Sequence, residues 1–431
     1  MSDSGPAHPA HGALDLRVDE ARAAIHAALR PLAETQAIAL SAALGRVLAA
    51  DVISPIDVPA HDNSAMDGYA LNGSELQPGQ PVQLRIVATV LAGAPLARSM
   101  APGECVRIMT GAVMPDGLDT VVPQELCEAS GGLLRIDADV VHAGDNRRLR
   151  GEDLARGRAA LRAGRRLGPA DLGLVASLGL TGVNVFRRLR VAVFSTGNEL
   201  RSAGEPLGPG CIYDSNRHSL MAAVQRLGLQ ALDLGLVRDE PAALQAALAR
   251  ASAQADVVLV SGGVSGGDAD HTRELLNRSG ELAFWKVAMR PGRPLAFGTL
   301  RRAPGNTATL ANDRPVWLFA LPGNPVAALT AFYVFARDAL LLLAGATEPP
   351  LASLRARTLA PIRKRAGRSE YLRGVVSRGA DGDWQVRLTG PQGSGVLRSM
   401  SEANALLLLP QEQGPVAAGD WVEVWLFDGL T

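Results

Sequence analysis

Lysine is nearly missing from this chain: every basic residue is arginine except Lys286 and Lys364. Cysteine is almost as scarce. Cys105, Cys127 and Cys211 lie far apart and form no C-x-x-C pair, which excludes a zinc knuckle and reads as free thiols in a reducing cytosol. Net charge is absent too, with 43 basic residues against 43 acidic ones. Nothing global therefore favours nucleic acid or an anionic membrane. The start, "MSDSGPAHPAHGALDL", lacks the basic and apolar regions of a signal peptide. The most apolar late stretch, "AFYVFARDALLLLAG", is interrupted by Arg337 and Asp338 and predicts no membrane span. These absences place the chain in the cytoplasm, without nucleic-acid or membrane partners.

What remains is an ordinary globular composition, 47% hydrophobic over 431 residues, enough for about two to four domains. Residues 1–12 read as a flexible tail. From Val18 to about Ala50 the apolar spacing is helical, broken at Pro31, and 168–185 returns to that pattern. Together 13–53 and 146–188 predict a mixed helical region whose two parts pack together. Between them, 54–145 alternates short apolar runs with Gly/Pro turns and reads as an inserted β domain. Residues 189–348 alternate strand runs such as "RVAVFST" and "DVVLVS" with helical runs, as a mostly parallel sheet covered by helices requires. Residues 349–431 are again β-like.

In the α/β part, "STGNEL", "SGGVSGGDAD" and "LPGNPVA" each follow a strand and precede a helix. Parallel strands bring such loops to one sheet edge, where helix N-termini favour an anion. Each loop alone reads better as a plain turn or a helix cap; in "LPGNP", Pro325 suits the first helical position. Together they are harder to dismiss. A glycine loop ending in Asp268 and Asp270 raises the question of why carboxylates adjoin a phosphate cradle. A divalent cation between them answers it, since Mg²⁺ is held by one or two carboxylates plus phosphate oxygens and water. Glu199 and Asp270 are the candidate ligands. Asp239, in "LVRDEP", is a third, with an N-cap role as its plain alternative.

Three further polar clusters stand out. "VPAHDNSAMDGYA" (58–70) has no regular period, and its Asp67-Gly68 pair invites close ligand approach. "RIMTGAVMP" (107–115) holds Thr110. "GDNRRLRGED" (144–153) sets three arginines among acids and ends in Asp153; it reads as a solvated face or as an anion grip. The stretch "FWKVAMRPGRP" (284–294) crowds Lys286, Arg290 and Arg293, cations that repel one another unless an anion binds.

Seven of these stretches, "DNSAMDGYA", "RIMTGA", "RRLRGED", "FSTGNEL", "SGGVSGGDAD", "FWKVAMRPGRP" and "LPGNPVA", occur in the order found in the molybdopterin molybdenumtransferases of MoeA type, related to the C-terminal part of gephyrin. The resemblance spans nearly the whole chain after the tail. It implies a mixed helical region, an inserted β domain, a three-layer α/β domain like that of molybdopterin adenylyltransferases, and a C-terminal β-barrel-like domain. It implies a homodimer with the site between subunits, working between a molybdopterin adenylyltransferase and the downstream molybdoenzyme machinery. The implied reaction inserts molybdate into adenylylated molybdopterin and releases AMP, with Mg²⁺. By position, Asp67, Thr110, Asp153, Glu199, Asp239, Asp270 and Lys286 match site residues of the family. Glu199, Asp239 and Asp270 are the implied metal ligands. Ser261, Gly262, Gly263, Ser265, Arg290, Arg293, Pro294, Pro322, Gly323, Asn324 and Pro325 match its substrate-binding loops. Arg368 matches an arginine assigned to the oxyanion, with Ser399 as a neutral donor beside it. The chain departs from the pattern at Arg290 and Arg293, where the family has lysine, and at Gly266, where it has valine. These departures bear on rate and anion preference. Arginine offers planar paired donors where lysine offers a point charge.

Two other functions compete. A nucleotidyltransferase of the sister type needs only the α/β domain, so the β insertion and C-terminal domain weigh against it. A non-catalytic scaffold of gephyrin type is disfavoured by the intact set of carboxylates. The sequence does not separate molybdate from tungstate.

Overall fold

The computed structural model describes residues 15–263, 278–302, 314–347 and 353–427. Ser265, Gly266, Asp268 and Asp270, and the tail, lie outside them.

The central sheet contains β1 (Arg190–Thr196), β2 (Gln230–Val237), β3 (Val257–Ser261), β4 (Gly280–Lys286), β5 (Pro294–Leu300) and β6 (Val316–Leu321), in the spatial order 2-1-3-6-5-4. Strands 2, 1, 3 and 6 are parallel; β5 is antiparallel to both β6 and β4. The inner strands read "VAVFS" and "VVLVS" and are buried throughout, as expected of strands covered on both faces. The sheet carries α3 (Asn216–Arg226), α4 (Pro241–Gln254) and α5 (Pro325–Leu343). Two earlier helices are α1 (Val18–Ala28) and α2 (Pro169–Ser177). Among the described residues α5 is the helix long and apolar enough to cross a membrane, yet 78% of it is buried inside the fold. Phe332 and Phe335 anchor it in the same core as Val191, Leu220 and Phe319. Arg337 is also mostly buried and pairs with Asp338, which pairs in turn with Arg22 of α1.

The helical reading of 18–50 and 168–185 needs correction. Helix α1 forms, but it packs on the α/β core through Val18, Ala21, Ile25 and Leu29. Residues Thr35–Ala39 form a strand, antiparallel to Gly182–Phe186. The two distant segments do meet, as strands. Tertiary pairing overrides the helical spacing of alanine and leucine here. A Cβ at Gly182 would lie 2.5 Å from Ile38 O, so the partner backbone sits where only glycine fits.

Farther along the same two arms, Val52–Ile53 pairs with Ala159–Leu161 and Asn63–Ser64 with Arg147–Arg148. The outgoing and returning chains thus run side by side. At their far end stands a six-stranded sheet formed by residues between Gly68 and Ile136. Near the C-terminus, strands Ser353–Thr358, Ser369–Arg378, Trp384–Leu388, Ala405–Leu409 and Trp421–Leu426 close into a five-stranded barrel. One short contact ties barrel to sheet: Met289–Arg290 runs parallel to Ser369–Glu370.

Phe332 is fully buried in the largest core. Phe332→Ala should cost about 3–5 kcal/mol of stability, read as a lowered midpoint in urea unfolding.

Candidate functional site

Strands β1, β3 and β6 end together at one sheet edge, and their loops meet where the strand order reverses. The chain makes that meeting close. Gly262 has φ +100, and a Cβ there would lie 2.2 Å from Thr196 O; its N–H donates to Leu321 O at 3.1 Å. Gly263 follows with φ +68. Gly262 spends its N–H on the scaffold, so of these two glycines it is Gly263 whose N–H remains for an anion at this helix-bearing edge.

The glycine loop's serine serves the scaffold. Ser261 is buried; its hydroxyl donates to Pro322 O at 3.1 Å and accepts from Asn216 Nδ2 at 2.7 Å. In this arrangement its hydroxyl joins the glycine loop to α3 and to the turn before α5. Asn324 and Pro325 are the N-cap and first residue of α5. Asn216 also donates to Gly323 O at 2.7 Å. Next to it, Asp214 accepts from Ser195 Oγ at 2.9 Å and from Arg217 Nε at 3.0 Å, and Arg217 pairs further with Asp233. The stretch Asp214, Asn216, Arg217 was legible only as a helix start. Its signal was three polar side chains at the head of a helix that packs on a buried sheet.

Glu199 and Asp239 stand exposed at the same edge. The Glu199 carboxylate folds back over Gly197, where an added Cβ would lie 2.6 Å from Oε2. Asp239 is not the cap of α4, whose N-cap is Glu240. Its Oδ1 accepts from Thr196 Oγ1 at 2.7 Å, and its N–H donates to Asn198 Oδ1 at 3.2 Å. Asn198 thus links the two acidic loops. Among the described residues neither carboxylate has a cationic partner, and no three His, Cys, Asp or Glu side chains cluster as a metal site. Two unpaired hard oxygen donors at an anion-accepting edge suit Mg²⁺. The third expected ligand, Asp270, lies outside the described residues.

A cleft of about 400 Å³ opens between the α/β part and the barrel. It brings together Arg290, Arg293, Pro294, Pro322, Asn324 and Arg368 from three separate stretches, and adds Gln392, Gly393 and Ser394, which the sequence reading missed. Two expectations change here. Arg293 is already matched: its Nε donates to Asp15 Oδ2 at 2.6 Å and its Nη2 to Oδ1 at 3.1 Å. The anion that relieves this basic cluster is thus partly the protein's own, and it raises the arginine's pKa through hydrogen bonding and charge. Ser399 does not face the cleft. It is buried, donates to Val396 O at 2.6 Å and accepts from Arg373 Nε at 3.0 Å.

Arg373 is the unexpected cation. It is fully buried, and its guanidinium reaches the carbonyls of Pro391, Gln392 and Gly393. Burial lowers its pKa to about 10, so it stays charged at neutral pH, directly behind the cleft wall. An arginine between Leu372 and Gly374 in a buried strand was the available signal. Lys364 plays a similar part. It is buried and donates to the carbonyls of Arg365, Arg368 and Gln413, at 3.4, 2.9 and 3.0 Å, which fixes the backbone that presents Arg368. Lys286 ends β4 and is exposed.

The three polar loops of the inserted region form one cluster. Asp67 Oδ1 accepts both the N–H and the hydroxyl of Thr110, each at 2.7 Å. Asp62 accepts from Arg150 N at 2.7 Å and pairs with Arg147 at 3.6 Å. Arg148 and Arg150 are taken by Glu152 and Asp57, so these arginines belong to the scaffold. Asp153 is exposed at the end of this turn. Among the described residues no hydrogen bond or ion pair joins this cluster to Glu199, Asp239 or Ser261. A separate cavity of about 280 Å³ lies at the opposite ends of the strands. Around it Asp256 holds Arg187, and Arg302 donates to the Ser252 and Ala255 carbonyls.

Fold and site together define a glycine-loop α/β domain joined to a β insertion and a barrel. Three family models match it: the MoeA N-terminal region (domain I and II) over 16–179, a probable molybdopterin binding domain over 192–341, and the MoeA C-terminal region (domain IV) over 355–427. A molybdopterin molybdenumtransferase of Haemophilus influenzae is 38% identical over 418 residues, covering 96% of this chain and 99% of that protein. One from Nostoc sp. is 36% identical over 394 residues, covering 90% and 87%. The crystal structure of a molybdopterin biosynthesis moeA protein from Pyrococcus horikoshii OT3 superposes with a TM-score of 0.81 at 26% identity, covering 96% of this chain and all of that one. The chain belongs to the MoeA family of molybdopterin molybdenumtransferases, transferases of molybdenum cofactor biosynthesis.

The Thr110 backbone and then its hydroxyl hold the Asp67 carboxyl below its usual range. The stabilisation this gives the loop pair is present above the ordinary Asp range and is lost as pH falls through the lowered value. Thr110→Val should move the Asp67 carboxyl partly back up, because one of its two bonds goes; carbon-detected NMR titration reads the shift directly.

Proposed function

We propose that the chain inserts molybdate into adenylylated molybdopterin and releases AMP in a Mg²⁺-dependent reaction. The observation that carries this reading is the adjacency of two different anion sites. The glycine edge with its unpaired Glu199 and Asp239 suits a metal-bridged phosphate. The cleft walled by Arg290 and Arg368, with Pro322 and Asn324 shared between the two regions, suits a second anion. Mg²⁺ held by Glu199 and Asp239, with Asp270 as the third expected carboxylate, would neutralise phosphate charge as AMP departs.

The chain's own residues do the remaining work in this reading. The backbone N–H of Gly263 binds the phosphate, while that of Gly262 holds the loop to Leu321. Arg290 and Arg368 bind molybdate, with Arg373 adding positive potential from behind. Lys286 serves the phosphate or pterin side. Among the described residues the Asp67, Thr110 and Asp153 cluster has no bonded role at its own chain's sheet edge, so it is assigned to the partner's site in a homodimer. The flanking steps fall to a molybdopterin adenylyltransferase before it and molybdoenzyme machinery after it, in a cytoplasm that keeps the three free cysteines reduced.

AMP release from adenylylated molybdopterin that requires molybdate is the decisive assay. ATP consumption with molybdopterin would favour the nucleotidyltransferase instead. Within that assay, Arg290→Ala should raise the molybdate concentration for half-maximal release by about tenfold or more, since a charge-assisted contact contributes roughly 1.5–3 kcal/mol. Arg293→Ala should shift it less, because Asp15 already neutralises that guanidinium. Equal shifts would overturn this division.

The dimer has its own test. Mixed and exchanged Asp67→Ala and Glu199→Ala chains should regain up to about a quarter of wild-type turnover, as one intact site forms in each heterodimer. No activity in proven heterodimers would remove the shared site.

A further inference from the structure

The side chain that touches most of the site's loops belongs to none of the motifs expected to bind ligand. Asn216 Nδ2 donates to Ser261 Oγ of the glycine loop and to Gly323 O of the turn before α5, both at 2.7 Å. Through Ser261 the link continues to Pro322 O at 3.1 Å. Its neighbour Asp214 holds Ser195 at the end of β1. Gly323 O can only accept, so it fixes which way the carboxamide faces. Oδ1 then points away from both partners. It is buried and, among the described residues, accepts no hydrogen bond, and Asn216 as a whole is 8% exposed. A shielded acceptor without a donor lowers stability. The folded chain thus carries an asparagine here at a cost that a purely structural filler would not incur.

We propose that Asn216 is a positioning residue for the nucleotide-binding loops. It sets the spacing between the Gly262–Gly263 backbone and the Pro322–Asn324 turn so that both meet one phosphate. The inference rests on the functional reading above. It makes an unusual demand: stability and binding should move apart. Asn216→Leu has similar size, removes both donors and deletes the orphaned acceptor. Its thermal midpoint should therefore stay level or rise, while its affinity for AMP with Mg²⁺ should fall on the order of tenfold. Ser261→Ala leaves the bond to Gly323 O and should lose less, roughly threefold. In a double-mutant cycle the two changes should be non-additive, because the two side chains bond each other.

The experiment is titration calorimetry of the full chain with AMP and Mg²⁺, paired with thermal unfolding of each variant. Wild-type affinity in Asn216→Leu overturns the proposal, and so does a loss of affinity that tracks a loss of stability. If that variant does not fold, Asn216→Asp keeps the shape but turns a carboxylate toward Gly323 O; it should lose AMP affinity by a similar factor, and unchanged affinity overturns the proposal. A wild-type chain that binds neither AMP nor adenylylated molybdopterin instead defeats the functional reading, and this inference with it.

Discussion

The arginine-lined cleft is bordered by a pairing of two residues with two. Met289–Arg290 lies parallel to Ser369–Glu370, and this short ladder brings a barrel strand against the α/β part. A second tie reinforces it, from Val326 N in the first turn of α5 to Ser394 O, at 3.0 Å. The helix thus finds a partner for one of its free N–H groups in the C-terminal region. Around them Tyr371, Leu406 and Trp425 of the barrel pack into the same core as Phe319 and Phe332. Two guanidinium groups 78 positions apart in sequence, Arg290 and Arg368, thus line one wall.

Behind that wall the protein holds its cations by carbonyl oxygens. Arg373 and Lys364 are both buried, and the bonds each makes are mainly to backbone carbonyls. A carboxylate partner would cancel the charge; carbonyl dipoles solvate it and leave its field intact. Arg293 shows the opposite arrangement, with Asp15 quenching it at the rim. Charge counting along "FWKVAMRPGRP" treats its three cations alike, but their surroundings do not.

Much of the architecture was legible because it rests on local rules. Buried runs such as "VVLVS", the Asn324–Pro325 helix start and the glycine loop follow from backbone chemistry and needed no tertiary knowledge. Thr35–Ala39 did need it: its strand state exists because Gly182–Phe186 lies alongside. Site residues divide the same way. Asp67 and Thr110 were singled out on two separate polar loops, and the structure joins them by hydrogen bonds. The surroundings of Ser399 and Arg293 were not legible, because a sequence does not say which way a side chain turns or what arrives from position 15. Asn216 was hidden by its resemblance to an ordinary first-turn polar residue.

The two lysines have a practical chemical meaning. Lys364 is 4% exposed, and its ammonium is spent on three carbonyls. Lys286 is exposed at the end of β4. For amine-selective reagents the folded protein therefore behaves as a single-lysine chain, apart from its terminal amine. An acylating dye or crosslinker would mark one side chain next to the basic cleft, a native handle that most proteins of this size would require many substitutions to obtain.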